Sequence, residues 1–221
     1  MSRTAVLVVA AGAGKRFGGP KQFAYLRGKP VLEWTLERFQ AHEAVDDIAL
    51  VLPDEEDLKH YRLRYPKIVD IVRGGERRQD SVWQGFRLLR AEATGIVLVH
   101  DGARPLADAD LVSRVIAATR VLGAAVPVLP VEETVKEVRE GTVVRTLDRT
   151  LLARAQTPQG FLYPLLLKAL ETARKDRFQG TDEASLAERA GIPVAAVDGD
   201  PRNIKITTPV DLRIAEALLD A

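Results

Sequence analysis

Apolar, β-branched runs recur along the chain as AVLVVA (5–10), DIALVLP (47–53), KIVDIV (67–72), GIVLVHD (95–101) and AAVPVLPV (124–131). They are apolar at nearly every position rather than at alternate ones, which suits strands covered on both faces, as in a parallel sheet. Between them, PVLEWTLERFQAH, DEEDLKHYRLRY, RRQDSVWQGFRLLR and DADLVSRVIAATRVLG carry apolar residues three and four apart, the spacing of crossover helices. The second and fourth open with acidic residues, which suit a helix N-terminus. The fold class is α/β with a mostly parallel central sheet.

After Pro130 the alternation breaks, and TVKEVREGTVVRTL reads as a β-hairpin around Glu140 and Gly141. Because it interrupts the βα series, it is expected to project as an arm, either to meet a second subunit or to lie on the surface of a monomer. The extended stretch ARAQTPQGF follows, then helices at YPLLLKALETARK and TDEASLAERAG, strands at IPVAAVDG and NIKIT, and a last helix in which Thr208 and Pro209 make a good start. No linker, repeat or low-complexity tract divides the 221 residues, which suggests one domain.

A formal net charge of +1 excludes a globally basic nucleic-acid binder, so any polyanion must be met locally. Without cysteine there is no disulfide framework, thiolate metal cluster or thiol nucleophile to consider. The opening MSRTAVLVVAAGAG lacks a signal-peptide layout and no apolar run approaches bilayer length, so a cytoplasmic protein without a membrane partner is expected.

In an open parallel sheet, ligands bind beyond the C-terminal ends of the strands. The first strand ends in AAGAGKRFGGPK, which fits neither common phosphate loop. The P-loop pattern needs glycine where Val9 stands and Ser or Thr where Arg16 stands; the dinucleotide pattern meets Phe17 at its third glycine. What remains is a turn of small residues, Ala10, Ala11, Gly12, Ala13 and Gly14, whose backbone N–H groups can face an anion closely, with Lys15, Arg16 and Lys21 hanging from it. An ordinary βα turn with a basic edge has the same signature.

The other strand ends add polar groups to the same edge. In VLVHDGARP, Asp101 can face a divalent metal or a ribose hydroxyl, or it can cap a turn or pair with Arg104. His100 reads as a strand residue satisfied by packing or a backbone bond. In RGGERRQDSV, Gly74 and Gly75 would let a flat base approach and Ser81 could bond its edge; a plain turn with Asp80 and Ser81 starting a helix fits equally. Lys205 in NIKIT and Arg149 in LDRTLLARAQTPQGF are useful cations without being diagnostic.

Taken in order, AAGAGKRFGGPKQF, GGERRQDSV, VHDGARP, TLDRTLLARAQTPQGF, TDEASL and NIKIT closely resemble the methylerythritol phosphate cytidylyltransferases, over nearly the whole chain. The loop between Gly14 and Pro20 is shorter than in many relatives, Phe17 stands where Met is frequent, and HDGARP replaces HDAARP. The resemblance implies a single Rossmann-like nucleotidyltransferase domain over 1–221, with its arm at about 132–148. It implies attack by a polyol phosphate oxygen on the α-phosphorus of CTP, pyrophosphate departure, Mg2+ as cofactor and a homodimer through the arm. Arg16 and Lys21 match the pair that stabilises the transition state, and Arg149 and Lys205 the pair that grips the second substrate's phosphate. Ala10, Ala11, Gly12, Gly75 and Ser81 match positions around cytosine and ribose, with Ala13, Gly14 and Lys15 completing the nucleotide loop. Asp101 and Gly102 lie by the ribose or metal; Arg104, Thr134, Thr157 and Thr181 fall on the substrate side. Two other readings share these signals: a ribitol-5-phosphate cytidylyltransferase, and a nucleotide-binding module that has lost catalysis.

Overall fold

The computed structural model describes residues 2–53 and 58–220, so the acidic opening of the second expected helix, at 54–57, lies outside the described residues. The chain starts with β1 (Arg3–Val9), a short hairpin of β2 (Tyr25–Leu26) and β3 (Lys29–Pro30), and α1 (Val31–Ala41). Then come β4 (Asp47–Leu52), α2 (Leu58–Arg64), β5 (Ile68–Arg73), α3 (Arg78–Phe86), β6 (Thr94–Asp101), α4 (Ala109–Leu122) and β7 (Ala124–Pro130). Among the described residues, β8 (Lys136–Arg139) and β9 (Thr142–Thr146) pair only with each other. β10 (Ala153–Ala155), β11 (Gln159–Leu162), α5 (Tyr163–Lys175), α6 (Glu183–Arg189), β12 (Ala195–Asp198) and α7 (Pro209–Leu219) complete the chain.

The main sheet runs β10-β7-β11-β6-β1-β4-β5, with β12 added to β7. β6, β1, β4 and β5 are mutually parallel, as are β12 and β7, whereas β10 and β11 run antiparallel to their neighbours. The expected mostly parallel sheet is therefore present.

Period-two geometry sorts β1 cleanly. Val6 and Val8 pack with Leu36 and Phe39 of α1 and Val115 of α4 on one face; Ala5 and Leu7 pack with Val82 and Phe86 of α3 and Leu166 of α5 on the other. Helices on both sheet faces are what the uninterrupted apolar runs require. β1 lies between β4 and β6, where the chain's successive crossovers change direction, and its C-terminal end opens at that switch point.

NIKIT is not a strand. Ile204 and Ile206 alternate inward, which imitates the strand pattern, but they pack into a minor core with Leu26, Val31 and Ala215 and join no ladder among the described residues. The segment is pinned instead by Ile206 N donating to Ala103 O (2.9 Å), Arg104 donating to Asn203 O (2.8 Å) and Asn203 Nδ2 donating to Thr157 O (2.8 Å). α7 begins as expected: Thr208 caps it, Pro209 opens it, and Asp211 accepts from the Thr208 backbone N–H.

Candidate active site

The β1 loop turns tightly at Gly14, whose φ is +64° and whose carbonyl accepts from the N–H groups of Phe17, Gly18 and Gly19. A Cβ at Gly14 would lie 1.8 Å from Gly19 O, so this turn admits only glycine. Buried Gln22 donates to Gly12 O (3.2 Å) and ties the loop to the turn at Lys21–Phe23. Gly74 packs against this loop: a Cβ there would stand 2.2 Å from that of Ala11. Ser81 holds the same turn, accepting from Gly75 N (3.1 Å) and donating to Arg77 O (3.1 Å). α3 begins at Arg78, so Asp80 sits in its first turn and Ser81 inside it, earlier than a start at Asp80 and Ser81 would give.

A cavity of about 380 Å³ opens between these segments. Ala10, Ala11, Gly12, Ala13, Lys21, Gly75, Ser81, Asp101 and Lys205 line it, together with Arg78 and Gln22. A neighbouring cavity of about 240 Å³ is lined by Arg104, Thr157 and Thr181 and shares Arg78, Asp101 and Lys205 with the first. Two chambers thus meet at one carboxylate and its cations. Gly14, Lys15, Arg16 and Gly102 belong to the flanking loops without lining either chamber, and Arg16 is exposed but close enough to act electrostatically on Lys21. Thr134 and Arg149 are exposed, line neither chamber, and sit beside the β8–β9 arm, where Arg149 donates to Glu132 O.

Asp101 accepts from Arg78 Nε at Oδ1 (3.0 Å) and from Lys205 Nζ at Oδ2 (2.8 Å), with Arg104 Nε at 3.7 Å. Burial alone would push its carboxyl pKa up, but Arg78, Lys205 and Arg104 together hold it well below the usual range. Of the readings open from sequence, pairing with Arg104 is present and is the weakest of the three contacts. Each of its oxygens is thus already in contact with a cation, Arg78 at Oδ1 and Lys205 at Oδ2.

Burial lowers the Lys21 pKa, and the charges of Lys205 and Arg16 add to the effect. Like charges held together in a partly buried cavity are relieved by an anion.

His100 is fully buried. Its Nε2 lies 3.1 Å from Arg104 O and its Nδ1 3.2 Å from Thr157 Oγ1, which fixes the Nε2–H tautomer, with the Thr157 hydroxyl donating to Nδ1. Thr157 Oγ1 also accepts from Asp101 N (3.1 Å), so this hydroxyl braces the site.

Burial lowers the His100 pKa to about 4, with hydrogen bonding to Arg104 opposing the shift. The unfolded chain takes up this proton first, near the ordinary value of about 6.5, so stability falls as pH drops from about 6.5 toward 4, by about 3 kcal/mol in all. The melting temperature of the parent protein is expected to fall across that window and that of His100→Gln to stay flatter. Identical slopes would contradict this assignment. Asp101 adds its own loss only below its unfolded pKa of about 3.8, since its folded pKa is depressed.

The family model for 2-C-methyl-D-erythritol 4-phosphate cytidylyltransferase matches residues 4–221. The chain belongs to this family. A curated relative of that name from Symbiobacterium thermophilum is 45% identical over 218 residues, covering 97% of this chain and 92% of the relative. The crystal structure of the cytidylyltransferase from Thermus thermophilus superposes with a TM-score of 0.82 at 35% identity, covering 97% of this chain and 98% of that one. The structure of 4-diphosphocytidyl-2C-methyl-D-erythritol synthase from Anaerococcus prevotii gives 0.87 at 31% identity, covering 100% and 99%. The chain is a nucleotidyltransferase by family, and the ribitol phosphate reading is not favoured.

Sequence reasoning missed Arg78 and Glu183. Arg78 Nη1 and Nη2 donate to the two carboxylate oxygens of Glu183 at 2.7 and 2.9 Å, across 105 residues. A cation in the first turn of α3 opposes the helix dipole, and that mismatch was the available signal.

Proposed function

We propose that the larger chamber holds CTP and the smaller one 2-C-methyl-D-erythritol 4-phosphate, and that the enzyme joins them with release of pyrophosphate. The observation that carries this reading is the Asp101 junction, where Asp101 and Lys205 line both neighbouring chambers and Lys21 lines the larger one. The nucleophile is a phosphate oxygen, already ionised, so no general base is needed to make it. The obstacle is repulsion: two unit charges about 5 Å apart repel by roughly 3 kcal/mol at an effective dielectric of about 20, and a triphosphate meeting a monophosphate involves several such pairs. Lys21, Lys205 and Arg16 offset that repulsion, and the β1 loop offers bare backbone to the nucleotide. The oxygen forms its bond to the α-phosphorus as the bond to the leaving pyrophosphate breaks, and the two chambers hold these groups in line.

Magnesium belongs with the nucleotide in this proposal: phosphate oxygens are hard donors that suit it, and the ion would screen their charge. Asp101 is the buried carboxylate of the lining and would hold the ion with oxygens that already meet Lys205 and Arg78.

We also propose a homodimer through the arm. Val138, Val143 and Val144 on β8 and β9 are about half exposed, a large apolar display for so small a hairpin, and Thr134 and Arg149 line neither of their own chain's chambers. A partner's arm would bring them to the polyol phosphate. We assign the enzyme to the cytoplasm; the cysteine-free sequence, which has no disulfide framework, supports this, and among the described residues no helix is long and apolar enough to cross a membrane.

The test is direct. With CTP and magnesium, pyrophosphate release is expected with 2-C-methyl-D-erythritol 4-phosphate and little with ribitol 5-phosphate. Release with ribitol 5-phosphate alone would reverse the substrate assignment, and CTP binding without release for either phosphate would point to a non-catalytic module.

A further inference from the structure

Another cavity, of about 450 Å³, lies between the start of α3 and the end of α5 and shares only Arg77 with the larger chamber. Arg77, Arg174 and Arg177 line it, against one carboxylate, Asp80. Among the described residues none of these four side chains makes an ion pair or a hydrogen bond. Three arginines less one aspartate leave two positive charges in the lining. We propose that this cavity is a second anion site, apart from both chambers, and that its ligand is a phosphate group.

Isolated arginines on a surface are ordinarily just solvated, and three features set these apart. α5 and α6 end in the same turn: the residue after the cap is left-handed and the next N–H reaches back into the helix, Phe178 N to Ala173 O and Ile192 N to Ala187 O, each at 2.9 Å. α6 fills the left-handed position with Gly191 (φ +69°), as such turns commonly do, whereas α5 fills it with Arg177 (φ +54°), a conformation that strains a residue with a Cβ. An arginine needed only for solubility gains nothing from that strain, and Arg177 lines the cavity from this position. Arg174 is held by a ring rather than by a counter-charge: its guanidinium carbon stands 4.3 Å from the centre of Trp83. Gln79 ties the wall together, donating from Nε2 to Phe178 O and accepting at Oε1 from Gly180 N, both at 3.2 Å. The concavity is therefore built before a ligand arrives, which lowers the cost of ordering it on binding. Guanidinium forks match phosphate oxygens two at a time, and a phosphate group carries about 1.5 to 2 negative charges near neutral pH, close to what this lining lacks.

Binding at this cavity is read without turnover, so the result is independent of the reaction proposed above. The parent, Arg174→Gln and Arg177→Gly are titrated by calorimetry with inorganic phosphate and, separately, with pyrophosphate, in the absence of CTP and magnesium. Arg174 and Arg177 line neither chamber, so any anion taken up beside Lys21 and Lys205 is common to all three proteins and cancels in the comparison. The parent is expected to bind one anion that each variant binds at least about tenfold more weakly, as loss of a hydrogen bond to a charged group does. Arg177→Gly suits the left-handed turn, so its melting temperature without anion should equal or exceed the parent's, and its lost binding then cannot come from a damaged fold. Arg174→Gln leaves that turn alone and supplies the second reading. Tighter binding of pyrophosphate than of phosphate at this site would assign it to a diphosphate group, and phosphate bound equally well or better would assign it to a single phosphate group. Isotherms that coincide for the parent and both variants with both anions would overturn the proposal and leave the three arginines as solvated surface groups.

Discussion

Replacing Lys21 or Arg16 with alanine is expected to lower turnover by at least about 100-fold each, as removal of a transition-state donor does, while the protein stays folded. The two cations reach this expectation by different routes. Lys21 lines the larger chamber and is partly buried, and its ammonium makes no hydrogen bond or ion pair among the described residues. Burial and the charges of Lys205 and Arg16 disfavour its protonated form and outweigh the attraction of Asp101, so its charge gains most when phosphate arrives. Deleting it relieves repulsion in the free protein, and the melting temperature of Lys21→Ala should be unchanged or slightly higher. Arg16 stands exposed on a loop held by the Gly14 turn, and in the proposed reaction it would act on the α-phosphorus once triphosphate occupies the larger chamber. Its removal should therefore appear in kcat with little change in stability. Steady-state kinetics and a thermal melt on each variant read both halves, and unchanged turnover in both would refute the electrostatic mechanism.

The site was legible in sequence to the extent that it is local. Uninterrupted apolar runs locate the sheet, strand ends locate the ligand edge, and that rule alone assembles Ala10 to Ala13, Lys21, Gly75, Ser81 and Asp101 around one chamber. What stayed hidden depends on tertiary pairing or on a misleading local pattern. The Arg78–Glu183 pair joins residues 105 apart, and neither RRQDS nor TDEAS contains any sign of the other. Ser81 and Thr157, expected at the substrates, each line a chamber and also spend hydroxyl contacts on the Gly75 turn and on His100 and Asp101, because a buried hydroxyl must find partners wherever they lie. The alternating isoleucines of NIKIT gave a strand signal, yet they feed a satellite core; alternation reports which side is buried and not whether a neighbouring strand exists.

Arg149, which lines neither chamber of its own chain, leads to the second large effect. Arg149→Ala is expected to lower kcat/KM for the polyol phosphate by about 100-fold, the scale on which loss of a buried charge-assisted contact acts. Lys21→Ala disables the other half of the reaction, in the pocket of its own chain. If a partner's arm completes each site, the two defects lie in different places: a dimer of one Lys21→Ala chain and one Arg149→Ala chain has an intact pocket on the second chain and an intact arm on the first. Random pairing of equal amounts makes half the dimers mixed, each with one repaired site of two, so the mixture should recover about a quarter of parental activity after subunit exchange. If Arg149 instead folds back onto its own pocket, each pocket in the mixed dimer lacks one essential cation and activity stays at the sum of the two variants. The recovered activity thus distinguishes an arm that reaches across from one that serves its own chain, without requiring a structure of the assembly.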